Sequence, residues 1–87
     1  MNIKTNNMSD TKTFDAVKEL AMLSKIVNFN DFYNIDIRPS RPEIRLQGTI
    51  GYNTSKAAKD LGISLEFDNE CVMLRGNDGI IHITLTL

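Results

Sequence analysis

The clearest signal in the chain is strict alternation of aliphatic and polar residues. Ile35 and Ile37 alternate with Asp36 and Arg38, and Ile44, Leu46 and Ile50 alternate with Glu43, Arg45, Gln47 and Thr49. A period of two is the signature of a strand with one buried face. Between the two runs stands Pro39-Ser40-Arg41-Pro42. Two prolines fix φ and remove ladder donors, so this segment is a turn, and residues 32–50 are expected to form a β-hairpin. Setting Arg38 opposite Glu43 places Ile37 against Ile44, Asp36 against Arg45 and Ile35 against Leu46. One face is then wholly aliphatic and the other carries two pairs of opposite charge. A slip of one residue destroys both features.

The same period returns near the C-terminus. Ile63, Leu65 and Phe67 alternate with Ser64, Glu66 and Asp68; Val72 and Leu74 come after a turn near Asn69-Glu70; Ile81, Ile83, Leu85 and Leu87 alternate with His82, Thr84 and Thr86. Gly76-Asn77-Asp78-Gly79 is the strongest turn signal in the chain. Residues 63–87 thus predict a three-stranded meander. Pairing Phe67 with Val72, and Leu74 with Ile81, brings these aliphatics to one face.

Helical spacing appears in two places. Over residues 13–28, Val17, Leu20, Ala21, Leu23, Ser24 and Val27 recur at i, i+3, i+4, with Thr13 as a cap and Asp15 in the first turn. Residues 54–61 predict a shorter helix, capped by Asn53 or Thr54, with Ala57, Ala58 and Leu61 on its apolar side and Gly62 at its end. Eight residues are not helical alone in water, so this helix has to dock. The order is α-β-β-α-β-β-β. The expected fold is α+β: a single five-stranded sheet, antiparallel or mixed, with both helices on its aliphatic face. Residues 13–87 form the expected domain, behind a polar, flexible tail at 1–12. Met8, opening Met8-Ser9-Asp10, is a second candidate start.

Composition narrows the function classes. The chain has 87 residues, 41% of them apolar, with ten basic and eleven acidic side chains for a net charge of −1. That balance disfavours a general polyanion binder, which needs an excess of Lys and Arg. Cys71 is the single cysteine, so no intrachain disulfide forms, which fits a reducing compartment. No apolar run has the length of a membrane span, and the opening residues lack the apolar core of a signal peptide. The expected setting is the cytoplasm.

Five groups of residues carry candidate chemistry. Ser55-Lys56-Ala57-Ala58-Lys59-Asp60-Leu61-Gly62-Ile63-Ser64 resembles the second helix and turn of helix-turn-helix DNA-binding proteins, where Ala permits close helix approach and Gly the turn. The resemblance covers ten residues and implies a recognition helix after Gly62. The segment from Leu65 to Arg75 carries Glu66, Asp68 and Glu70, with Arg75 as its one base, and alternates like a strand. A structural helix with a Gly cap accounts for the motif better. Cys71 and His82, expected on neighbouring strands beside Asp68, bring together a thiol, an imidazole and a carboxylate. They are too few for a zinc site and have no oxyanion hole beside them. Gly48-Thr49-Ile50-Gly51 lacks the spacing of a phosphate-binding loop and reads as a bend before Tyr52.

The remaining two groups are surfaces. Arg38, Arg41 and Arg45 form a basic patch on the first hairpin, open to an acidic partner or engaged by Glu43 and Asp36. Cys71, Met73, Ile80 and His82 give the otherwise polar sheet face an apolar component, as expected of a contact surface. No cofactor, metal or catalytic set is legible. The expectation is a small non-enzymatic binding module acting by protein–protein contact or self-association. An inhibitor or adaptor encoded by a phage or mobile element suits this economy. A nucleic-acid-binding regulator of helix-turn-helix type is the alternative.

Overall fold

A computed structural model of the chain describes residues 15–38 and 40–87. The expected tail, the Thr13 cap and Pro39 of the first turn lie outside the described residues. The chain runs through α1 (Ala16–Leu23), a 3₁₀ turn at Phe29–Asp31, β1 (Asn34–Arg38), β2 (Glu43–Thr49), α2 (Tyr52–Asp60), β3 (Glu66–Phe67), β4 (Met73–Asn77) and β5 (Ile81–Thr86). The fold is α+β, with two helices and a mixed five-stranded sheet. Its strand order is β1-β2-β5-β4-β3, with β2 and β5 parallel and the other pairs antiparallel.

The first hairpin has the register its charges and aliphatics dictate: Arg38 opposite Glu43, Ile37 opposite Ile44, Asp36 opposite Arg45 and Ile35 opposite Leu46. The most aliphatic strands, β2 and β5, take the interior of the sheet side by side. Ile44, Leu46, Ile83 and Leu85 are the largest side chains with essentially no exposure. Leu23, Val27 and Phe32 from the N-terminal segment, and Ala57, Ala58 and Ile63 from α2 and its exit, complete the same buried cluster. Both helices therefore serve one face of the sheet.

α1 is shorter than its periodicity implies. Asp15 caps it by accepting from the Lys18 amide, and it ends at Leu23. The Ser24 hydroxyl donates to the Ala21 carbonyl at 2.7 Å, and β-branched Ile26 and Val27 come next. Both features disfavour further helix. Val27 reaches the core from the turn after α1, while Val17, expected on the apolar side, is exposed.

α2 begins two residues earlier than expected, with Gly51 as its N-cap. Thr54 does not cap the helix. It is buried inside the first turn, and its hydroxyl lies 2.8 Å from the Thr49 carbonyl, tying α2 to the end of β2. The other end matches the expectation. Gly62 has a φ of 73°, its amide donates to the Lys59 carbonyl and the Ile63 amide donates to Ala58. This is the paired-bond stop that a left-handed glycine permits.

The meander differs from expectation in register and preserves its faces. Phe67 pairs with Leu74 in place of Val72, a shift of two, and Leu74 pairs with Leu85 in place of Ile81, a shift of four. Even shifts leave the side chains that do pair on their expected side. Gly76 belongs to β4, opposite Ile83, and the turn lies beyond Asn77. The glycine inside the strand has a steric reason. A Cβ on Gly76 would lie 2.2 Å from the Ser64 carbonyl oxygen, because the backbone leaving α2 crosses β4 at this point. Residues 63–65 make that crossing without strand pairing, so β3 is reduced to Glu66–Phe67.

Candidate functional site

The face of the sheet away from the helices is polar. Pairing sets the side chains in rows: Asp36, Arg45, His82 and Asn77 in one, and Asn34, Gln47, Thr84, Arg75 and Glu66 in the next. Partners in register point to the same side, with strands about 4.8 Å apart. Thr86 and Met73 continue the surface toward β2's far end. Over β2, β5 and β4 this surface forms an open hollow of about 580 Å³, lined among others by Tyr33, Arg45, Gln47, Arg75, His82 and Thr84.

Glu43 anchors one end of this face. Its side chain is nine-tenths buried, with Arg45 Nε 3.0 Å from Oε1, His82 Nε2 3.1 Å from Oε2 and Arg38 Nε 3.9 Å from Oε1. The hydrogen bond from Arg45 holds the Glu43 carboxyl below its ordinary value. Burial opposes that shift, and the charges of Arg45, His82 and Arg41 reinforce it. The expected basic patch is thus largely internal to the hairpin. Arg38 binds Asp36 at 3.0 Å along its own strand, and Arg45 binds Glu43 likewise. The register is as expected, but these pairs form along the strands more than across them. Arg41 lies exposed in the turn, with no carboxylate within 4.0 Å among the described residues.

Arg75 is differently placed. Its Nε and Nη2 each lie 3.3 Å from the Met73 sulfur, a weak acceptor. Glu66 is opposite Arg75 in register, yet no carboxylate of the described residues comes within 4.0 Å of it. Farther along, Asn34 donates to Gln47, and the Tyr33 hydroxyl lies 3.5 Å from that of Thr86.

The four residues expected to form an apolar contact surface separate. Met73 and His82 line the hollow; Cys71 and Ile80 do not. Cys71 stands in the turn before β4, where Asp68 accepts from the Glu70 and Val72 amides and Cys71 itself takes a φ of 56°. It therefore does not join His82 on neighbouring strands, and no thiol–imidazole pair forms. Ile80, in the turn before β5, is fixed by its carbonyl, which accepts from the Ile44 amide at 2.9 Å. Among the described residues, no group of three or more His, Cys, Asp or Glu could hold a metal ion. Gly48 stays in the ladder opposite Leu85, with no phosphate-loop shape around it.

No recognition helix comes after Gly62: the chain passes over Gly76 of β4 and enters β3. The helix-turn-helix resemblance ends with its first half. Lys56, one of its two lysines, is bound by Asp60 at 2.8 Å, and that hydrogen bond raises its affinity for its proton. Gln47, Arg75, Asn77 and Thr84 are not candidates on sequence grounds: alternation places Gln47, Arg75 and Thr84 on the polar face, while Asn77, expected in the turn, belongs to β4. The missing element is the parallel pairing of β2 with β5, which gathers them. The chain matches no family model, no curated protein and no solved structure. No helix among the described residues is long and apolar enough to cross a membrane.

Proposed function

We propose that this chain is a small binding module that acts by protein–protein contact through the bare face of its sheet. The observation that supports the reading is the asymmetry of the sheet. One face is filled by Ile44, Leu46, Ile81, Ile83 and Leu85 beneath the helices, while the other displays Tyr33, Arg45, Gln47, His82, Thr84 and Arg75 around an open hollow. Such a surface combines hydrogen-bond donors and acceptors, an aromatic ring and a thioether on a rigid scaffold. These are the ingredients of a recognition surface. In this reading the protein works in the cytoplasm as an inhibitor or adaptor, by occupying a partner's surface.

The test is selection from a random peptide display library on the folded protein, with counter-selection on Thr84→Trp. Thr84 is on the floor of the hollow, and Trp suits a strand while filling that space. The expected result is a set of peptides retained by the natural chain and lost from the variant. Peptides held equally by both, or no enrichment at all, would overturn the reading. Sedimentation of the two proteins tests the self-association form: a dimer of the natural chain that Thr84→Trp dissociates identifies the partner as a second copy.

A further inference from the structure

We infer that the hollow over β2, β5 and β4 binds an acidic segment of a protein partner, with Arg75 as the principal anchor for its carboxylates. The inference rests on the reading of the bare face as a docking surface and adds the chemistry of the ligand.

Three observations carry it. The hollow has two arginines and a histidine in its lining, and no Asp or Glu. Arg45 and His82 both contact Glu43 beside the hollow, so Arg75 is the one charge of the lining with no ion pair among the described residues, on a chain with a net charge of −1. The two arginines are in different states. Arg45 is held through Nε by Glu43, whereas Arg75 rests on a thioether with no carboxylate within 4.0 Å among the described residues. A guanidinium so placed can take a carboxylate in a two-pronged hydrogen bond, with little competing interaction to break. Finally, Gln47, Thr84 and Asn77 lie between and beside the charged groups. They supply donors and acceptors for the backbone of an extended chain crossing the strands.

The same features favour a peptide over a nucleic acid. Sequence-independent binding to a polyanion is driven by many cations neutralising successive phosphates. Here two arginines stand on a chain that is acidic overall, and Tyr33 is the one aromatic ring in the lining. One or two carboxylates on an otherwise uncharged segment match that spacing better than a continuous phosphate backbone.

The experiment is fluorescence anisotropy with three labelled probes: a peptide with two glutamates in an otherwise uncharged sequence, the same peptide with Gln for each Glu, and a single-stranded oligonucleotide of equal charge. Each is titrated with the natural protein, Arg75→Gln and Arg75→Glu, all checked for cooperative unfolding. The glutamate peptide is expected to bind at least about tenfold tighter than its Gln counterpart, as for a charge-assisted pair. Arg75→Gln removes that preference and Arg75→Glu reverses it. Equal binding of the two peptides, or a preference that survives both variants, overturns the inference. So does tighter binding of the oligonucleotide, which assigns the face to nucleic acid. Display selection separates the levels. Neutral or basic peptides that Thr84→Trp abolishes leave the docking surface standing while the acidic ligand fails. No selected peptide removes both.

Discussion

The two faces of the sheet are built from alternate residues of the same strands and obey different rules. On the covered face, Ile44, Leu46, Ile83 and Leu85 meet helices and lose essentially all exposure. Their contribution is burial, which is nondirectional and is satisfied by any close-packed aliphatic of suitable size. On the bare face, Glu43 holds Arg45 and His82, the Met73 sulfur supports Arg75, and ladder register sets Thr84 between them, with no helix packed above. The first face makes the fold; the second is left free to vary without losing it. A surface of this kind can acquire a binding role with little cost to stability, and the comparison says where substitutions matter.

The largest expected effect is on the covered face. Ile83→Asp puts a charge without a partner at a fully buried position, and circular dichroism should show loss of the cooperative thermal transition. Gly76→Ala tests the backbone crossing that this face requires. The new methyl meets the Ser64 carbonyl at 2.2 Å and Ile63 Cγ2 at 2.7 Å, and urea unfolding should register a loss of about 1–3 kcal/mol. Cys71→Val, in the left-handed turn beside β4, should cost about 1–2 kcal/mol, while Cys71→Gly at the same site is neutral or stabilising.

Smaller effects belong to the bare face. Because Glu43 is held below its ordinary value of 4.5 in the folded chain, its stabilising contribution is complete above that value. It fades as the pH falls through the depressed one. Glu43→Gln should therefore flatten the acid limb of stability measured against pH below about 4.5, leaving its neutral-pH shape unchanged. Thr84→Ala, which touches the middle of the hollow, should change unfolding free energy by no more than about 0.5 kcal/mol. A large loss there would mean that the bare face is structural, and the division between the faces would fail.

The same division explains what the chain makes legible. Face assignment depends on parity alone, so alternation places Ile81, Ile83 and Leu85 inside even though Leu74 pairs four residues away from its expected partner. The register of the first hairpin is legible, because Arg38 opposite Glu43 and Ile37 opposite Ile44 reinforce one pairing. In the meander, Gly76-Asn77-Asp78-Gly79 marks a turn in general, but Gly76 lies inside β4, where the close approach of Ser64 leaves no room for a side chain. That contact is not local and leaves no mark in a short window. For the same reason the site is only partly legible. Alternation finds Met73 and His82, but it assigns Cys71 to a strand that does not extend to it. It gives Arg75 no special standing, because the importance of Arg75 depends on the partner it lacks.

Amide NMR locates the docking face on the folded chain. A peptide taken from the display selection is titrated into the labelled protein and the shift changes are mapped along the chain. The largest changes are expected on β2, β5 and β4 around Arg45, His82, Thr84 and Arg75, with α1 and α2 unmoved. Changes centred on α1 or on the Tyr52–Asp60 helix, with those strands unchanged, would contradict that placement.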